Sequence, residues 1–227
     1  MPAHRRRSIV TRHPPLPGRS ITPRSDHRWE HQAYRRSPTL IDHELKRLHI
    51  HIPKTAGTSL RAAIMPNAHE TRHEVATAFP VESWEDYFTF TFVRNPYDRM
   101  VSAYAYHVKG RYRGVLNRSV PNLRNLTFRE YLGTFVRRQQ LTIFLPMVTY
   151  MTHERSSKPV DFVGRFECMH EDYARLSALL KTDAPIPHQL SSHHDHYSTF
   201  YDEEARQIIE QVYGADLEEF DYSFDRR

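Results

Sequence analysis

Apolar and polar positions along the chain alternate between two kinds of segment. RLHIHI, Arg47–Ile52, is a short apolar-leaning run that predicts a strand ending at Pro53. YFTFTFV, Tyr87–Val93, is dense in aromatic and β-branched residues and predicts a buried strand. PVDFVGRF predicts a third. Between and after them the spacing becomes helical. GTSLRAAIM begins a helix with Thr58 or Ser59 at its cap and Pro66 at its end. NPYDRMVSAYAYHV begins another, with Asn95 as N-cap and Pro96 at the first helical position, where a missing N–H costs nothing. Met100, Val101, Tyr104, Ala105 and Val108 recur at helical spacing and supply its packing face. HEDYARLSALLK and DEEARQIIEQVY predict two further helices, the second with acids in its first turn, as the helix dipole favours.

Strands alternating with helices imply an α/β domain with a mainly parallel sheet. Ligands in such sheets bind beyond the carboxyl ends of the strands. The two strand-to-helix junctions, after Ile52 and after Val93, therefore point at the same sheet edge.

Residues 1–38 show no sustained apolar period and are rich in Arg, Pro, Ser and His, which predicts a disordered basic arm before a single domain over 39–227. The arm carries much of the excess of 32 Lys and Arg over 27 Asp and Glu. Such a balance suits nucleic acid, an anionic surface or a small anionic ligand, and charge does not choose among them. Nothing approaches the ~20 consecutive apolar residues of a membrane-crossing helix, and no charged-then-apolar secretion signal is seen. The lone Cys168 excludes an intrachain disulfide; it is expected to be a buried, inert thiol, and a cytoplasmic location follows as the default.

At the first junction Lys54, Thr55, Ala56, Gly57, Thr58 and Ser59 form a loop before a helix N-terminus, where free N–H groups and the dipole favour an anion. Gly57 lets backbone approach closely, three hydroxyls add donors, and Lys54 adds a point charge. An ATP-type loop has the order G-x-x-x-x-G-K-[ST]; here the lysine precedes a single glycine, which disfavours ATP or GTP. A plain strand–turn–helix with an incidental lysine remains the alternative. At the second junction Arg94 ends a strand and Ser102 lies two turns into the helix, so both can face one phosphate. The bland readings are a sheet-edge salt bridge for Arg94 and a small contact residue for Ser102. Arg99 is expected on the surface, solvated or paired.

HIPKTAGTSL followed by FTFVRNPYDRMVSAY resembles the sulfotransferases that use 3′-phosphoadenosine 5′-phosphosulfate (PAPS), in particular the carbohydrate sulfotransferases of family-2 type. VDFVGRFECMHEDYARL, PHQLSSHHDHYSTFYDEEA and VYGADLEEFDYSF resemble later family segments in the same order, so the likeness runs from about Leu40 to Phe224. The resemblance implies a P-loop-like sulfotransferase fold. It implies a 5′-phosphosulfate site at Lys54, Thr55, Ala56, Gly57, Thr58 and Ser59, a 3′-phosphate site at Arg94 and Ser102, and no required metal. Lys54 would neutralise the leaving phosphate. The resemblance also makes His73 the candidate base, with His69, Glu70 and Glu74 as competitors. One departure concerns Leu190, where relatives often carry asparagine, which puts donor contacts from the 188–197 segment in doubt.

Several other residues invite chemistry. His107 is read as a partly exposed helix-end residue that could line an acceptor cleft. HHDH, residues 193–196, has weak spacing for zinc, and His49 and His51 point the same way on a strand. Trp84 reads as a core anchor. Of Tyr104 and Tyr106, one packs and the other faces the cleft. Arg111, Arg113, Arg124, Arg137 and Arg138 hint at an acidic acceptor, or at a solvated basic surface. The expected acceptor is a carbohydrate or glycoconjugate hydroxyl, with no nucleic-acid partner. A kinase-like phosphotransferase would need an acid at a second strand end, and Asp161 lies early in its strand. A non-catalytic polyanion binder using the arm is the third reading.

Overall fold

The structure is a computed structural model that describes residues 40–65, 73–109, 120, 122–139, 141–185 and 195–225. The arm of residues 1–38, Pro66, His69, Glu70, Arg111, Arg113, Leu190 and the first half of HHDH lie outside the described residues.

Among the described residues one sheet has the order β1-β2-β3-β4, with β1 Ile41–Asp42, β2 Arg47–His49, β3 Phe88–Val93 and β4 Phe162–Arg165. β1 is antiparallel to β2, while β2–β3 and β3–β4 are parallel, with Leu48 opposite Thr89 and Thr91 opposite Val163. The mainly parallel α/β sheet expected from the pattern is thus the one that forms. β1 has no counterpart in the sequence reading, because two residues show no period. β2 is shorter than RLHIHI: its ladder ends at His49, although the Ile50 amide still donates to Phe90 O at 2.9 Å.

β3 is bonded on both sides, and its alternation explains its composition. Phe90 and Phe92 enter a core with Leu60, Ile64, Phe162, Met169 and Leu176. Val93 joins Leu48, Ile50, Ile52, Trp84, Met147 and Tyr150 in another. Thr89 and Thr91 are fully buried, so their hydroxyls need acceptors. Thr91 Oγ1 donates to Ile50 O at 2.7 Å, and Thr89 N and Oγ1 both donate to Asp161 Oδ2. Asp161 also pairs with Lys158 at 2.7 Å, so it ties strands together at the edge opposite the junctions.

The helices are α1 Gly57–Ile64, α2 Val81–Asp86, α3 Pro96–Tyr104, α4 Phe128–Tyr131, α5 Met147–Met151, α6 Met169–Leu180 and α7 Glu203–Glu219. α3 starts as expected: Asn95 Oδ1 accepts from the Tyr97 amide at 3.0 Å and Pro96 occupies the first position. Its packing face is buried except for Ala105, which is half-buried. α3 runs on into a π-helical turn, Ala105–Lys109, and α4 into another, Leu132–Val136. α7 passes the predicted end at Tyr213, where its backbone kinks, and continues to Glu219. The cap of α1 corrects the sequence reading: it is neither Thr58 nor Ser59 but Ala56, in the left-handed conformation (φ 67°). Cys168 is also corrected: it is exposed, at the surface turn before α6.

The largest correction is Arg99. The sequence reading puts it on the surface, yet it is 0% exposed. Its Nε donates to Pro53 O at 3.1 Å, its Nη1 to Leu145 O at 3.0 Å, and its Nη2 to Ile143 O at 2.9 Å and Leu145 O at 3.0 Å. Only a planar guanidinium serves three carbonyls at once from one fixed position. Replacing it with methionine keeps the bulk and strips every donor. Arg99→Met is expected to lower the unfolding free energy by about 3–5 kcal/mol, read as a shifted urea midpoint with unchanged slope.

Candidate active site

The site is built where β2 and β3 end side by side. After β2 the chain turns through Lys54 and Ala56, both with positive φ (68° and 67°) on either side of Thr55. Alternating backbone hands of this kind turn successive N–H groups to one side and make an anion-binding concavity. A left-handed residue without glycine's freedom costs about 1–2 kcal/mol, and two such residues within three positions mark the loop as a held shape. Thr55 is buried and its hydroxyl donates inward to Ile52 O at 2.9 Å, so it braces the loop from behind. Thr58 is exposed and Ser59 buried in the first turn of α1.

Gly57 is needed for a different close approach from the one expected. A Cβ there would lie 1.9 Å from Cδ2 of His51, so the missing side chain makes room for a ring of the protein itself. That ring stacks on His49 (centroids 5.4 Å, 16° between planes) and meets His73 edge-on at 4.3 Å. His73 Nδ1 lies 3.1 Å from His51 O. A carbonyl only accepts, so Nδ1 carries the proton and the lone pair sits on Nε2. Burial, with Arg99 and Lys54 assisting, pushes the His73 pKa below its usual value against the opposing pull of the His51 carbonyl. His73 is therefore a neutral imidazole at neutral pH.

Lys54 sits close by. Burial first, and Arg94 second, bring its pKa down to about 8. Its Nζ lies 4.5 Å from the centre of the Tyr106 ring. Tyr106 is 46% exposed, whereas Tyr104 packs in the core and donates to Leu126 O at 2.8 Å; the packed and cleft-facing tyrosines are thereby told apart. Arg94 is buried and clamped: Nε and Nη2 reach Asp98 Oδ2 at 2.9 and 2.8 Å, Nη1 donates to Lys54 O at 3.2 Å, and Phe166 covers its face at 4.0 Å. The salt bridge weighed as its bland reading is present, and the same contacts hold the guanidinium against the anion loop. Next to it the Asn95 amide donates to Glu167 Oε1 at 2.6 Å. Ser102 is buried on α3.

The remaining candidates separate. His107 is buried in the π-helical turn, not partly exposed as expected, with Nδ1 2.6 Å from Tyr131 OH; burial and Lys54 bring its pKa down to about 4. Trp84 is a core anchor whose Nε1 donates to Lys158 O at 3.1 Å. His196 caps a short turn by accepting from the Ser198 amide. No group of three or more His, Cys, Asp or Glu suited to a metal ion occurs among the described residues. No described helix is long and apolar enough to cross a membrane.

The sulfotransferase family model matches residues 37–223 of this chain. The protein belongs to the sulfotransferase family. It is a transferase of the family-2 type, and the match spans both junctions and every described strand. No curated protein and no solved structure matches the chain. The sequence reading missed Arg99 and His51 in this sulfotransferase. Arg99 carries no local signal, whereas His51 shares its strand face with His49, which hinted at a pair.

The depressed lysine gives a pH test. Bound anion charge favours the ammonium, so Lys54 titrates higher with an anion in the loop than without one. Affinity for inorganic sulfate, whose own charge is constant, is expected to fall as pH rises through about 8. Calorimetry across that range checks this, and Lys54→Gln should remove the dependence.

Proposed function

We propose that the protein transfers a sulfuryl group from PAPS to a hydroxyl of a carbohydrate or glycoconjugate. The observation that carries this reading is the meeting of a left-handed anion loop, its lysine and a neutral histidine with a free Nε2 lone pair at one sheet edge. The donor set fits a nucleotide with two anionic ends. Lys54, Ala56, Gly57, Thr58 and Ser59 would receive the 5′-phosphosulfate through backbone N–H groups, hydroxyls and the amine. Thr55 would support them from behind. Arg94 and Ser102 would receive the 3′-phosphate, with Asp98 sharing or ceding the guanidinium.

The donor supplies an electrophilic sulfur whose bond to the phosphate oxygen breaks as the acceptor oxygen bonds to it. His73 Nε2 takes the acceptor's proton, and the Nδ1–H bond to the His51 carbonyl steadies the imidazolium that results. The Lys54 ammonium faces the growing charge on the leaving phosphate. With its pKa near 8 it can also hand over a proton there. Tyr106, half-exposed above Lys54, offers a ring face for a sugar. Asp161, the acid weighed for the kinase-like alternative, lies at the opposite edge of the sheet and is spent on Thr89 and Lys158.

Calorimetric titration with adenosine 3′,5′-bisphosphate, with ATP–Mg²⁺ in parallel, tests the donor. Micromolar binding of the bisphosphate, weakened at least about tenfold in Arg94→Ala, is expected; a preference for ATP–Mg²⁺ sinks the reading. His73→Gln should bind the bisphosphate as tightly as the parent while losing roughly 10²–10⁴-fold in sulfuryl transfer. Bisphosphate release during a screen of glycan acceptors checks this.

A further inference from the structure

We propose that His51 is a positioning residue for the base, its buried ring setting where His73 points, and that Gly57 is glycine because that ring occupies the space of its side chain. The proposal rests on His73 acting as the base, and it adds a residue that touches neither donor nor acceptor.

Three observations carry it. His51 contacts His73 twice, through its carbonyl at 3.1 Å and through the edge of its ring at 4.3 Å with 62° between planes. The ring cannot turn away, because it is 2% exposed and stacks on His49, which in turn stacks on Phe90 of β3 (4.9 Å, 9°). On the remaining side lies the α1 backbone, so close that one added carbon at Gly57 would sit 1.9 Å from Cδ2 and 2.4 Å from Nε2 of the ring. Phe90, His49, His51 and His73 thus form a row of rings running from the central strand to the base. α1, which carries the anion loop, closes the side of that row. An inward shift of α1 has to turn His51, and His51 cannot turn without moving His73.

The test reads His73 directly, so it needs no acceptor. The full-length protein is labelled with ¹³C,¹⁵N-histidine, and the His73 signal is assigned by its loss in His73→Gln. Among the described residues, the groups that act on His73 are His51, His49 behind it, Lys54 and Arg99. His49 stays neutral down to about pH 3, so it does not titrate in the same range. The parent should show a single Nδ1–H tautomer and a midpoint below the ordinary histidine value. His51→Ala should mix the tautomers and move the midpoint up towards that value, while His51→Phe, which keeps a ring in place, should restore both. Gly57→Ala should disturb His73 as His51→Ala does. The double variant should be no worse than His51→Ala alone, because the added methyl then has room. Bisphosphate affinity in His51→Ala should match the parent.

An unchanged His73 signature in His51→Ala overturns the proposal, as do fully additive defects in the double variant. Loss of bisphosphate binding in His51→Ala also overturns it, by moving His51 into the donor loop. Failure of the parent itself to bind bisphosphate defeats the PAPS reading and leaves the His73 arms of the test readable.

Discussion

The structure depends on a charge with no access to water. Arg99 reaches from α3 to the carbonyl of Pro53, where the chain leaves β2, and to the carbonyls of Ile143 and Leu145 just before α5. Burying a guanidinium is expensive unless its donors are used, and here three backbone carbonyls take the fork. Asp216 of α7 lies in the same region and accepts from the amides of Met147 and Val148 at 2.8 and 3.0 Å, which caps α5. Burial raises its pKa, and Arg99 is the first of the groups that oppose the rise. Tyr213, at the kink of α7, donates to Phe144 O at 2.8 Å. The anion loop therefore starts from a carbonyl pinned by a distant helix, which lets two left-handed residues in quick succession persist.

That arrangement also governs the site's electrostatics. Lys54, Arg94 and Arg99 all act on the strand-end edge, with Asp98 paired to Arg94. Burial first, and neighbouring like charges second, depress proton affinity at this edge. The result is a lysine near 8 and three histidines, His49, His73 and His107, held neutral. An anion relieves this repulsion and a cation aggravates it. The site selects its ligand by sign before any contact selects it by shape.

Much of this was legible in the residues because it is local. FTFTFV is a strand on composition alone, and Asn95-Pro96 announces a helix start through chemistry confined to three positions. The order of junctions gave the sheet edge. Tertiary partners were not legible. Nothing in DRMVS distinguishes a surface arginine from one that serves three carbonyls, one 44 and two 46 residues away. The cap at Ala56 escaped because residues 54–56 adopt a shape imposed from outside, against local preference. Thr58 and Ser59, better capping residues by type, fall inside the helix as a result. Gly57 was picked out correctly as a site of close approach, but what approaches is His51, a side chain six positions back.

The far end of the chain is laced over the same edge. Asn95, next to Arg94, donates through Nδ2 to Ser223 O at 3.1 Å, a partner 128 positions later. Glu167, which accepts from the Asn95 amide, also accepts from Tyr222 OH at 2.8 Å, and Arg165 bonds to Phe220 O. During synthesis, then, the strand, loop and helix that carry the anion site emerge long before the segment that secures their turn. The sheet can assemble early, but the Asn95 turn beside Arg94 stays unlatched until residues 220–224 have left the ribosome.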